Sequence, residues 1–539
     1  MVAFPVAAPP SPAKLRGGYY TPELVARFLS DWVSPAGPRL LEPSCGDGAI
    51  LSVLPPTGSV LGIELEQAEA ARAQVAAPDA EVQVADFFAW YSPAQDESWD
   101  GVAGNPPFIR FGHWTEPTRG LALDVMRRVG LRPTKLTNAW VPFIVASALA
   151  TRRGGRVGLV VPAEVMQVNY ASELRGFLVD EFSGLTVVTF RRLVFEGVLQ
   201  EVVLLLGERG DGPARIKVVQ VEDASQLPTA EALMALEHAP ALRHETEKWT
   251  KYFLDGEKID ALRQARALDE VARLGDLAEV DVGVVTGRNH FFVLRPSGSL
   301  VRGVAEHVMP LVSKSAHLRG IKFDLRDLHA LRTSDAPCDL LAVAGDVSLE
   351  DHAQLDAYVA AGEAEDVHRG YKCSIRKRWW VVPSLWTPDA FLLRQIYDHP
   401  RVIANMTDAT STDTIHRVRM VNGTPPVKLA AASINSVTFA FSEVMGRSYG
   451  GGVLELEPRE AEGLPFPDPQ RLSAADCKIV DRHLRADQLI DALDYVDRVL
   501  LVGALGLDAE LVTKLRGVWE CLRDRRLARG RQAGSKRSS

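Results

Sequence analysis

The tetrapeptide Asn105-Pro106-Pro107-Phe108 constrains this chain more than any other feature. It follows an apolar run at residues 99–104, which predicts a buried strand that ends in a turn. Two consecutive prolines fix the backbone, and the residue before a proline is excluded from the helical region. We therefore expect a rigidly held Asn105 amide at a strand end, able to accept and donate hydrogen bonds. Such a site can hold a planar amino group while Phe108 stacks on its ring; a plain proline turn is the alternative.

A glycine turn precedes this tetrapeptide. Residues 40–51 read as an apolar run, a turn containing Gly46 and Gly48, and the start of a helical pattern. Glycines at such a turn let the backbone approach a ligand closely. The spacing is not the full dinucleotide-binding fingerprint, and no lysine follows as it does in a phosphate-binding loop. The turn therefore predicts a cofactor without a phosphate group.

Two acidic residues also follow apolar runs. Glu64 ends the run at residues 60–63, where a carboxylate is placed to bind ribose hydroxyls. Asp86 ends the run at residues 81–85, and with the aromatic Phe87 it suits an adenine amino group and ring. A single acid at a strand end is more often a helix cap or a solvated loop residue. The succession of glycine turn, Glu64, Asp86 and Asn105, each after an apolar run, favours a binding site.

This order of motifs resembles the class I S-adenosylmethionine-dependent methyltransferases, and more narrowly the gamma-class N6-adenine DNA methyltransferases of the TaqI type. The resemblance covers about residues 15–210 and includes the segments 18–22, 138–143, 157–162 and 193–198. It implies an α/β fold with a Rossmann-like sheet and helices on both faces. It also implies transfer of the methyl group of S-adenosyl-L-methionine to N6 of an adenine flipped out of double-stranded DNA.

The resemblance assigns roles to individual residues. The cofactor pocket would be lined by Thr21, Glu42, Gly46, Gly48, Glu64, Asp86, Phe87, Asn105 and Phe143. Asn105 and the Pro106 carbonyl would accept hydrogen bonds from adenine N6, and Phe108 and Phe195 would sandwich the base. The family tetrapeptide often ends in tyrosine, and the phenylalanine here keeps the stacking face. Cys45, beside the glycine turn, is expected to be a small packing residue, and no metal is expected.

The net charge of −8 does not by itself favour nucleic-acid binding. Phosphate contact needs a basic face rather than a basic protein. The segment 371–380 interleaves basic and aromatic residues, and two further turn-rich stretches, 282–292 and 409–417, each carry an arginine. The candidate DNA-binding residues are Lys372, Arg376, Lys377, Arg378, Arg288 and Arg417. A solvated surface strand is the alternative for the segment 371–380.

Length and composition predict a chain of two domains. For 539 residues, 46% of them apolar, we expect a loose arm at 1–14, a catalytic domain at 15–245, a mixed α+β target-recognition domain at 246–528 and a disordered basic tail at 529–539.

Five scattered cysteines without C-x-x-C spacing fit a reducing compartment and argue against a zinc or disulfide framework. No apolar run is long enough for a membrane span, and we expect a cytoplasmic protein. A bacterial source is what the resemblance implies.

The predicted partner is double-stranded DNA, with a separate cognate restriction endonuclease and a monomer as the acting form. The function would then be modification in a restriction-modification system. Methylation of RNA adenine or of protein glutamine remains open, because related motifs serve those reactions. A DNA-binding protein that has lost catalysis also remains open. The large second part of the chain favours a long substrate such as DNA.

Overall fold

The structure, a computed structural model, describes residues 20–56, 58–168, 171–192, 194–195, 201–239, 241–243, 247–448 and 451–535. The expected arm at 1–14, residues 18–19 of the segment before the glycine turn, residues 193 and 196–198, and the last four residues of the expected tail lie outside this part. The chain folds into two compact units. One comprises the residues up to Asp255 with Gly451, Gly452 and the chain from Arg525, and the other comprises Gly256–Ser448 and Val453–Asp524.

The first unit is built on an eight-stranded sheet. The strands are β1 (Arg39–Glu42), β2 (Ser59–Glu64), β3 (Glu81–Val84), β4 (Trp99–Gly104), β5 (Thr151–Pro162), β6 (Phe182–Phe190), β7 (Val202–Arg209) and β8 (Arg215–Val221). Their order is β3-β2-β1-β4-β5-β7-β6-β8. Strand β7 runs antiparallel to both of its neighbours, and the other pairs are parallel. This sheet confirms the predicted α/β class.

Helices precede, connect and follow these strands. They are α1 (Glu23–Val33), α2 (Gln67–Ala76), α3 (Phe87–Trp90), α4 (Thr118–Arg128), α5 (Trp140–Ala150), α6 (Glu164–Gln167), α7 (Ser172–Glu181) and α8 (Ala230–Ala235). Every residue of β4 and of α5 is buried, as expected for elements at the centre of an α/β domain. Trp32 of α1 donates its indole N–H to the carbonyl of Val157 in β5 at 2.9 Å, which fixes that helix against the sheet.

The second unit contains several small sheets. The strands of these sheets are β9 (Val271–Arg273), β10 (Ala278–Asp281), β11 (Val293–Leu294), β12 (Val308–Val312), β13 (Lys322–Phe323), β14 (Asp339–Leu341), β15 (Ala390–Leu393), β16 (Gln395–Ile396), β17 (Val402–Asn405), β18 (Thr410–Ser411), β19 (Ile415–Met420), β20 (Arg447–Ser448), β21 (Leu454–Glu455) and β22 (Pro465–Pro467). Their orders are β10-β19-β15-β17-β13, β11-β14-β12-β18, β16-β21-β20 and β22-β9. Strands both parallel and antiparallel occur, so this unit is mixed, as predicted.

The helices of the second unit are α9 (Gly256–Arg266), α10 (Leu274–Leu277), α11 (Asn289–Phe292), α12 (Pro296–Val301), α13 (Leu325–Thr333), α14 (Ala353–Ala364), α15 (Tyr371–Ser374), α16 (Pro426–Ala432), α17 (Ser436–Met445), α18 (Pro458–Glu462), α19 (Ala474–Arg485), α20 (Leu489–Val496) and, up to Asp524, α21 (Ala509–Ser535), whose residues from Arg525 belong to the first unit. Helix α21 continues past residue 529, where the sequence predicts a disordered tail. In the described part of the chain, no helix is both long and apolar enough to cross a bilayer.

Candidate active site

The C-terminal ends of β1, β2, β3 and β4 open onto one cavity of about 700 Å³. Strand β1 pairs with β2 on one side and with β4 on the other, so the cavity lies where the strand order reverses. Open α/β sheets bind ligands at this position, and the volume is in the range of small-molecule pockets. The predicted residues that line the cavity are Thr21, Glu42, Gly46, Glu64, Asp86, Phe87, Asn105 and Phe143.

The two turn glycines have different reasons to be glycine. Both adopt positive φ angles, 54° at Gly46 and 88° at Gly48. A Cβ atom on Gly48 would stand 2.8 Å from the Cα atom of Ala73 in α2, so this glycine allows the turn to pack against the helix. A Cβ atom on Gly46 would meet no described atom within 4 Å, and Gly46 itself lines the cavity. Gly46 therefore presents bare backbone to a ligand.

Glu64 is held by backbone donors at the end of β2. Its Oε2 accepts the N–H of Gly46 and its Oε1 accepts the N–H of Glu66, both at 2.9 Å. A carboxylate oxygen has two lone pairs, so each oxygen can still accept one more hydrogen bond from a ligand. The predicted ribose-binding acid is thus fixed in place on the wall of the cavity.

Glu42 is the most unusual group of the cavity. It is 2% exposed, and its Oε2 has no hydrogen-bond partner among the described residues, as is also true of the Ser44 hydroxyl. Burial, followed by the charges of Asp47 and Glu64, raises the pKa of the Glu42 carboxyl well above its usual range. A buried acceptor without a donor is costly, because it has lost water without replacement. A ligand that brings a donor or a positive charge to this point would satisfy it.

Asp86 has a structural role in addition to its place on the cavity wall. Its Oδ1 accepts the N–H groups of Phe88 and Ala89 at 2.9 and 3.3 Å, which caps the N-terminus of α3. Its Oδ2 accepts a short hydrogen bond from the Thr118 hydroxyl of α4. The alternative considered for a single acid at a strand end, a helix cap, therefore applies here. A ligand amino group would have to share Asp86 with these donors.

An aromatic platform forms one side of the cavity. The rings of Phe87 and Phe143 stack with their centroids 5.2 Å apart and their planes at 15°. Phe88 meets Phe143 edge-on, with centroids 4.7 Å apart and planes at 69°. These rings come from α3 and α5, which the chain brings together although 56 residues separate Phe87 from Phe143. A flat heterocycle is the ligand group that such a platform suits.

Asn105 lies on the cavity wall directly after β4. Its Nδ2 donates to the hydroxyl of Thr21 at 3.2 Å, which turns its Oδ1 away from Thr21. Pro107 lines the cavity as well, whereas Pro106 is buried and does not line it. The prolines leave this segment outside any helix or strand, as the sequence predicts.

Two predicted base-stacking residues do not line the cavity. Phe195 is 6% exposed and belongs to the main apolar cluster of the first unit, and Phe108 packs against the same cluster. The two rings thus share one cluster at the edge of the tetrapeptide, but a base between them would require Phe195 to leave its present packing. Cys45 is buried as expected, and burial raises the pKa of its thiol.

Sequence reasoning missed several lining residues. Trp114 and Thr118 come from the segment after the tetrapeptide, and His113 also faces the cavity. No periodicity or motif marks these residues, since a loop and the first turn of α4 carry them. Asp47 lines the cavity too, and burial raises the pKa of its carboxyl. Its position between the two turn glycines is the one signal that could have identified it.

Three of the arginines proposed to contact DNA have internal roles. Arg417 has a side chain only 4% exposed, and it donates to the carbonyls of Val282 and Ser384 and to Asp281. Arg376 donates to two backbone carbonyls at 2.9 and 2.8 Å, and Arg378 donates to two others at 2.9 Å. The polar, turn-rich sequence around Arg417 concealed its burial in β19, where it pairs with neighbouring strands.

The other three basic residues are exposed, as is Arg378 despite its two hydrogen bonds. Lys372, Lys377 and Arg288 all face solvent. A Cβ atom on Gly287 would stand 2.7 Å from Cβ of Lys372, and one on Gly370 would stand 2.8 Å from Nε of Arg288, so the segments that carry Arg288 and Lys372 are in contact. We call Arg288, Lys372 and Lys377 the exposed basic group.

Comparison with known proteins supports a relation to one class of enzymes. The model of the family "Type II methyltransferase M.Eco57I, C-terminal domain" matches residues 246–501, and that of "Eco57I restriction-modification methylase" matches residues 62–195. The Type II methyltransferase M.XamI of Xanthomonas campestris pv. amaranthicola is 25% identical over 483 residues, which cover 85% of this chain and 86% of that protein. A Type II methyltransferase of Thermus thermophilus is 31% identical over 220 residues, 38% of this chain and 48% of that protein.

Among solved structures, the Type IIL restriction-modification enzyme MmeI in complex with DNA is 12% identical with a TM-score of 0.57. The superposition covers 93% of this chain and 76% of that one, and at this identity it shows a shared fold alone. The two family models match separate parts of the chain, and M.XamI matches across both. These matches relate the chain to the methyltransferases of restriction-modification systems.

Proposed function

We propose that this protein is a DNA methyltransferase that transfers a methyl group from S-adenosyl-L-methionine to N6 of adenine, as the modification enzyme of a restriction-modification system. The observation that carries the proposal is the position of Asn105. This amide shares a cavity with Glu42, Glu64 and the Phe87–Phe143 platform, so a target amino group would lie beside the cofactor. The similarity to Type II methyltransferases supports DNA as the substrate class.

The residues of the cavity fit this cofactor. Glu64 would accept the ribose hydroxyls, because backbone donors already hold its carboxylate in place. Glu42 would interact with a cationic or donor group of the amino-acid portion, which would satisfy its unpartnered Oε2. The aromatic platform would contact the adenine of the cofactor. When bound, the cofactor supplies an electrophilic methyl group on a positively charged sulfur.

The protein groups act on the target amino nitrogen. The lone pair of adenine N6 is conjugated with the ring, which makes N6 a weak nucleophile. Asn105 Oδ1 and the Pro106 carbonyl would accept the two N6 hydrogens and favour a pyramidal nitrogen with a localised lone pair. The hydrogen bond from Asn105 to Thr21 orients the amide for this role. Catalysis would then rest on positioning and electrostatics, and the product proton can be lost to water.

The proposed substrate has to be taken out of the double helix. A base within a duplex cannot reach a pocket of this kind, so we propose that the adenine is flipped out. Phe108 and Phe195 would stack on it once Phe195 has left its present packing, at about 1–3 kcal/mol for each aromatic–base pair. In the second unit, the exposed basic group of Arg288, Lys372 and Lys377 would contact phosphates. Arg376, Arg378 and Arg417 are better explained by the internal hydrogen bonds that they make.

The experiment that tests the proposal is single-molecule sequencing of genomic DNA from cells that express the protein. We expect N6-methyladenine in one short sequence motif, absent from a vector control. Asn105→Ala should lower the methylation rate in vitro at least about a hundredfold, by analogy with the loss of a transition-state hydrogen bond. Binding of S-adenosyl-L-methionine, measured by calorimetry, should change little.

A matched control is Asn422→Ala, at an exposed asparagine in the second unit. This variant should methylate DNA as the unaltered protein does. Undiminished turnover in Asn105→Ala would refute the mechanism. Cofactor binding without any new methylated DNA motif would instead favour RNA adenine or protein glutamine as the substrate, and absence of cofactor binding would refute the proposal as a whole.

A further inference from the structure

Two histidines and a glutamate meet in the second unit, far along the chain from the cavity. Within the described residues, the ligand atoms of Glu306, His307 and His352 all lie within 4.8 Å of one another. The sequence predicted no metal, and no motif links these positions: Glu306 and His307 are adjacent, whereas His352 follows 45 residues after His307. The fold alone creates this group.

The distances in this group suit a metal better than direct hydrogen bonds. Oε1 of Glu306 is 3.3 Å from Nε2 of His307 and 3.4 Å from Nδ1 of His352. These separations exceed the usual 2.7–3.2 Å of an N–H···O hydrogen bond. Tetrahedral zinc with bonds of about 2.0–2.1 Å separates its ligand atoms by roughly 3.3–3.4 Å. Both measured separations therefore match edges of a zinc coordination tetrahedron.

His307 needs a partner that the described protein does not supply. Its side chain is 10% exposed, and its Nε2 is buried without a hydrogen-bond partner among the described residues. The rings of His307 and His352 meet edge-on with centroids 4.7 Å apart. A buried ring nitrogen without a hydrogen bond, close to a carboxylate and a second imidazole, is a group that a metal ion can satisfy directly.

The backbone holds both histidines in place. The His307 N–H donates to Val304 at 2.9 Å, and its carbonyl accepts the N–H of Ala342 at 2.7 Å. The His352 N–H donates to Leu349 at 3.0 Å, and its carbonyl accepts the N–H of Asp356 in the first turn of α14 at 2.9 Å. Because the backbone is held at both histidines, a metal here would gain from this preorganisation of the chain.

We propose that Glu306, His307 and His352 bind one Zn²⁺ ion. Two imidazoles and one carboxylate are ligands that Zn²⁺ prefers, and a water molecule would complete the tetrahedron. The ion would connect the turn before β12 to the start of α14, and so stabilise this part of the second unit. This proposal does not rest on the proposed methyltransferase function.

The test uses the full-length chain without a histidine tag, stripped with a chelator and titrated with ZnCl₂ by calorimetry. Four cysteines are buried and Cys521 is exposed, so Cys521→Ser is used as the background to exclude thiolate binding. We expect one Zn²⁺ per chain, and a melting temperature that falls when a chelator is added. Co²⁺ should give the visible absorption of a tetrahedral site with nitrogen and oxygen ligands.

Two variants and one control make the test specific. Glu306→Gln, at a side chain that is 69% exposed and so tolerant of change, should weaken Zn²⁺ binding at least about tenfold, the minimum known for loss of even an outer-shell partner. His352→Ala should abolish stoichiometric binding and the chelator effect on melting. His329→Ala, at an exposed histidine of α13, should bind Zn²⁺ as the parent does.

The proposal would be overturned if the parent protein bound no stoichiometric Zn²⁺, or if Glu306→Gln and His352→Ala bound it as tightly as the His329→Ala control. The first result would leave the three residues as an ion-paired cluster. Since metal binding is measured without DNA or cofactor, its failure is distinguishable from failure of the proposed methylation.

Discussion

Replacement of Glu42 by glutamine should make the ligand-free protein more stable and at the same time impair cofactor binding. Glu42 is buried, its Oε2 has no described partner, and the charges of Asp47 and Glu64 lie near it. Glutamine has nearly the same shape and removes the buried charge. Glu42 would then serve ligand binding at a cost to the stability of the ligand-free fold.

The size of the effect follows from the buried charge, because the amide of glutamine also leaves a polar atom at this point but carries no charge. Leaving a buried polar group unpaired costs about 1–3 kcal/mol, and more when the group is charged. In a domain of 150–250 residues, 1 kcal/mol shifts the melting temperature by about 2–4 °C. We therefore expect Glu42→Gln to raise the melting temperature of the ligand-free protein by roughly 2–12 °C at neutral to alkaline pH.

The pH dependence of stability provides a second test of whether Glu42→Gln stabilises the ligand-free protein. Burial raises the pKa of the Glu42 carboxyl above its unfolded value of 4.5, so the folded state binds more protons than the unfolded state between the two values. The free energy of unfolding then falls as the pH rises from the pKa of Glu42 in the unfolded state through its pKa in the folded state. The advantage of Glu42→Gln should be small below pH 4.5 and should grow as the pH rises.

The assay is differential scanning calorimetry of both proteins across a pH series, with and without S-adenosyl-L-methionine. At a ligand concentration of a hundred times Kd, the unaltered protein should gain about 2.7 kcal/mol, and the variant should gain much less. Glu64→Gln is the matched control, because Glu64 already accepts two backbone N–H groups and its replacement should lower stability. A Glu42→Gln variant that melts lower at every pH, or that keeps the full cofactor effect, would refute the reasoning.

The remaining predictions concern the turn, the platform and the basic residues. Gly48→Ala should destabilise the fold by about 1–3 kcal/mol in chemical denaturation, since its Cβ would meet backbone at a positive φ; Gly46→Ala should cost less stability but weaken cofactor binding. Phe143→Ala should cost about 3–5 kcal/mol of stability and weaken cofactor binding in calorimetry. Lys377→Ala should reduce the slope of log affinity for DNA against log salt by about 0.9 with unchanged melting. Arg417→Ala should instead lower the stability by about 1–3 kcal/mol by leaving carbonyls without donors.

Specific results would contradict each of these expectations. Equal stability of Gly48→Ala and Gly46→Ala would argue against close packing of the turn on α2. Unchanged cofactor affinity in Phe143→Ala would remove the platform from the pocket. An unchanged salt slope in Lys377→Ala would exclude that side chain from phosphate contact, and wild-type stability of Arg417→Ala would contradict its structural role.

The sequence predicts the sheet and most of the cavity because strand ends carry local signals. An apolar run followed by Glu64 or Asn105 can be recognised from a few neighbouring residues. Parallel strands then bring their C-terminal ends to the same edge of the sheet. The sequence predicts the position of Asp86 at a strand end but not its hydrogen bond with Thr118, because Thr118 lies in a helix and is 32 residues away in the chain. Arg417 looked like a surface residue because the acceptors of its hydrogen bonds lie in two other segments of the chain, at residues 281–282 and at Ser384. Long-range contacts also create the group of Glu306, His307 and His352.

The charge of the cavity has a consequence for ligand selectivity. Its lining includes six carboxyl side chains and one arginine: Glu42, Asp47, Glu64, Glu66, Glu69, Asp86 and Arg72. Such a wall favours a cation over a neutral molecule of the same shape. Under the proposed function, the cofactor carries a positive sulfur before transfer and a neutral one afterwards. The cavity would therefore bind S-adenosyl-L-methionine more tightly than the neutral product that the cofactor becomes after transfer. This electrostatic preference would help a new cofactor molecule to replace that product after each turnover.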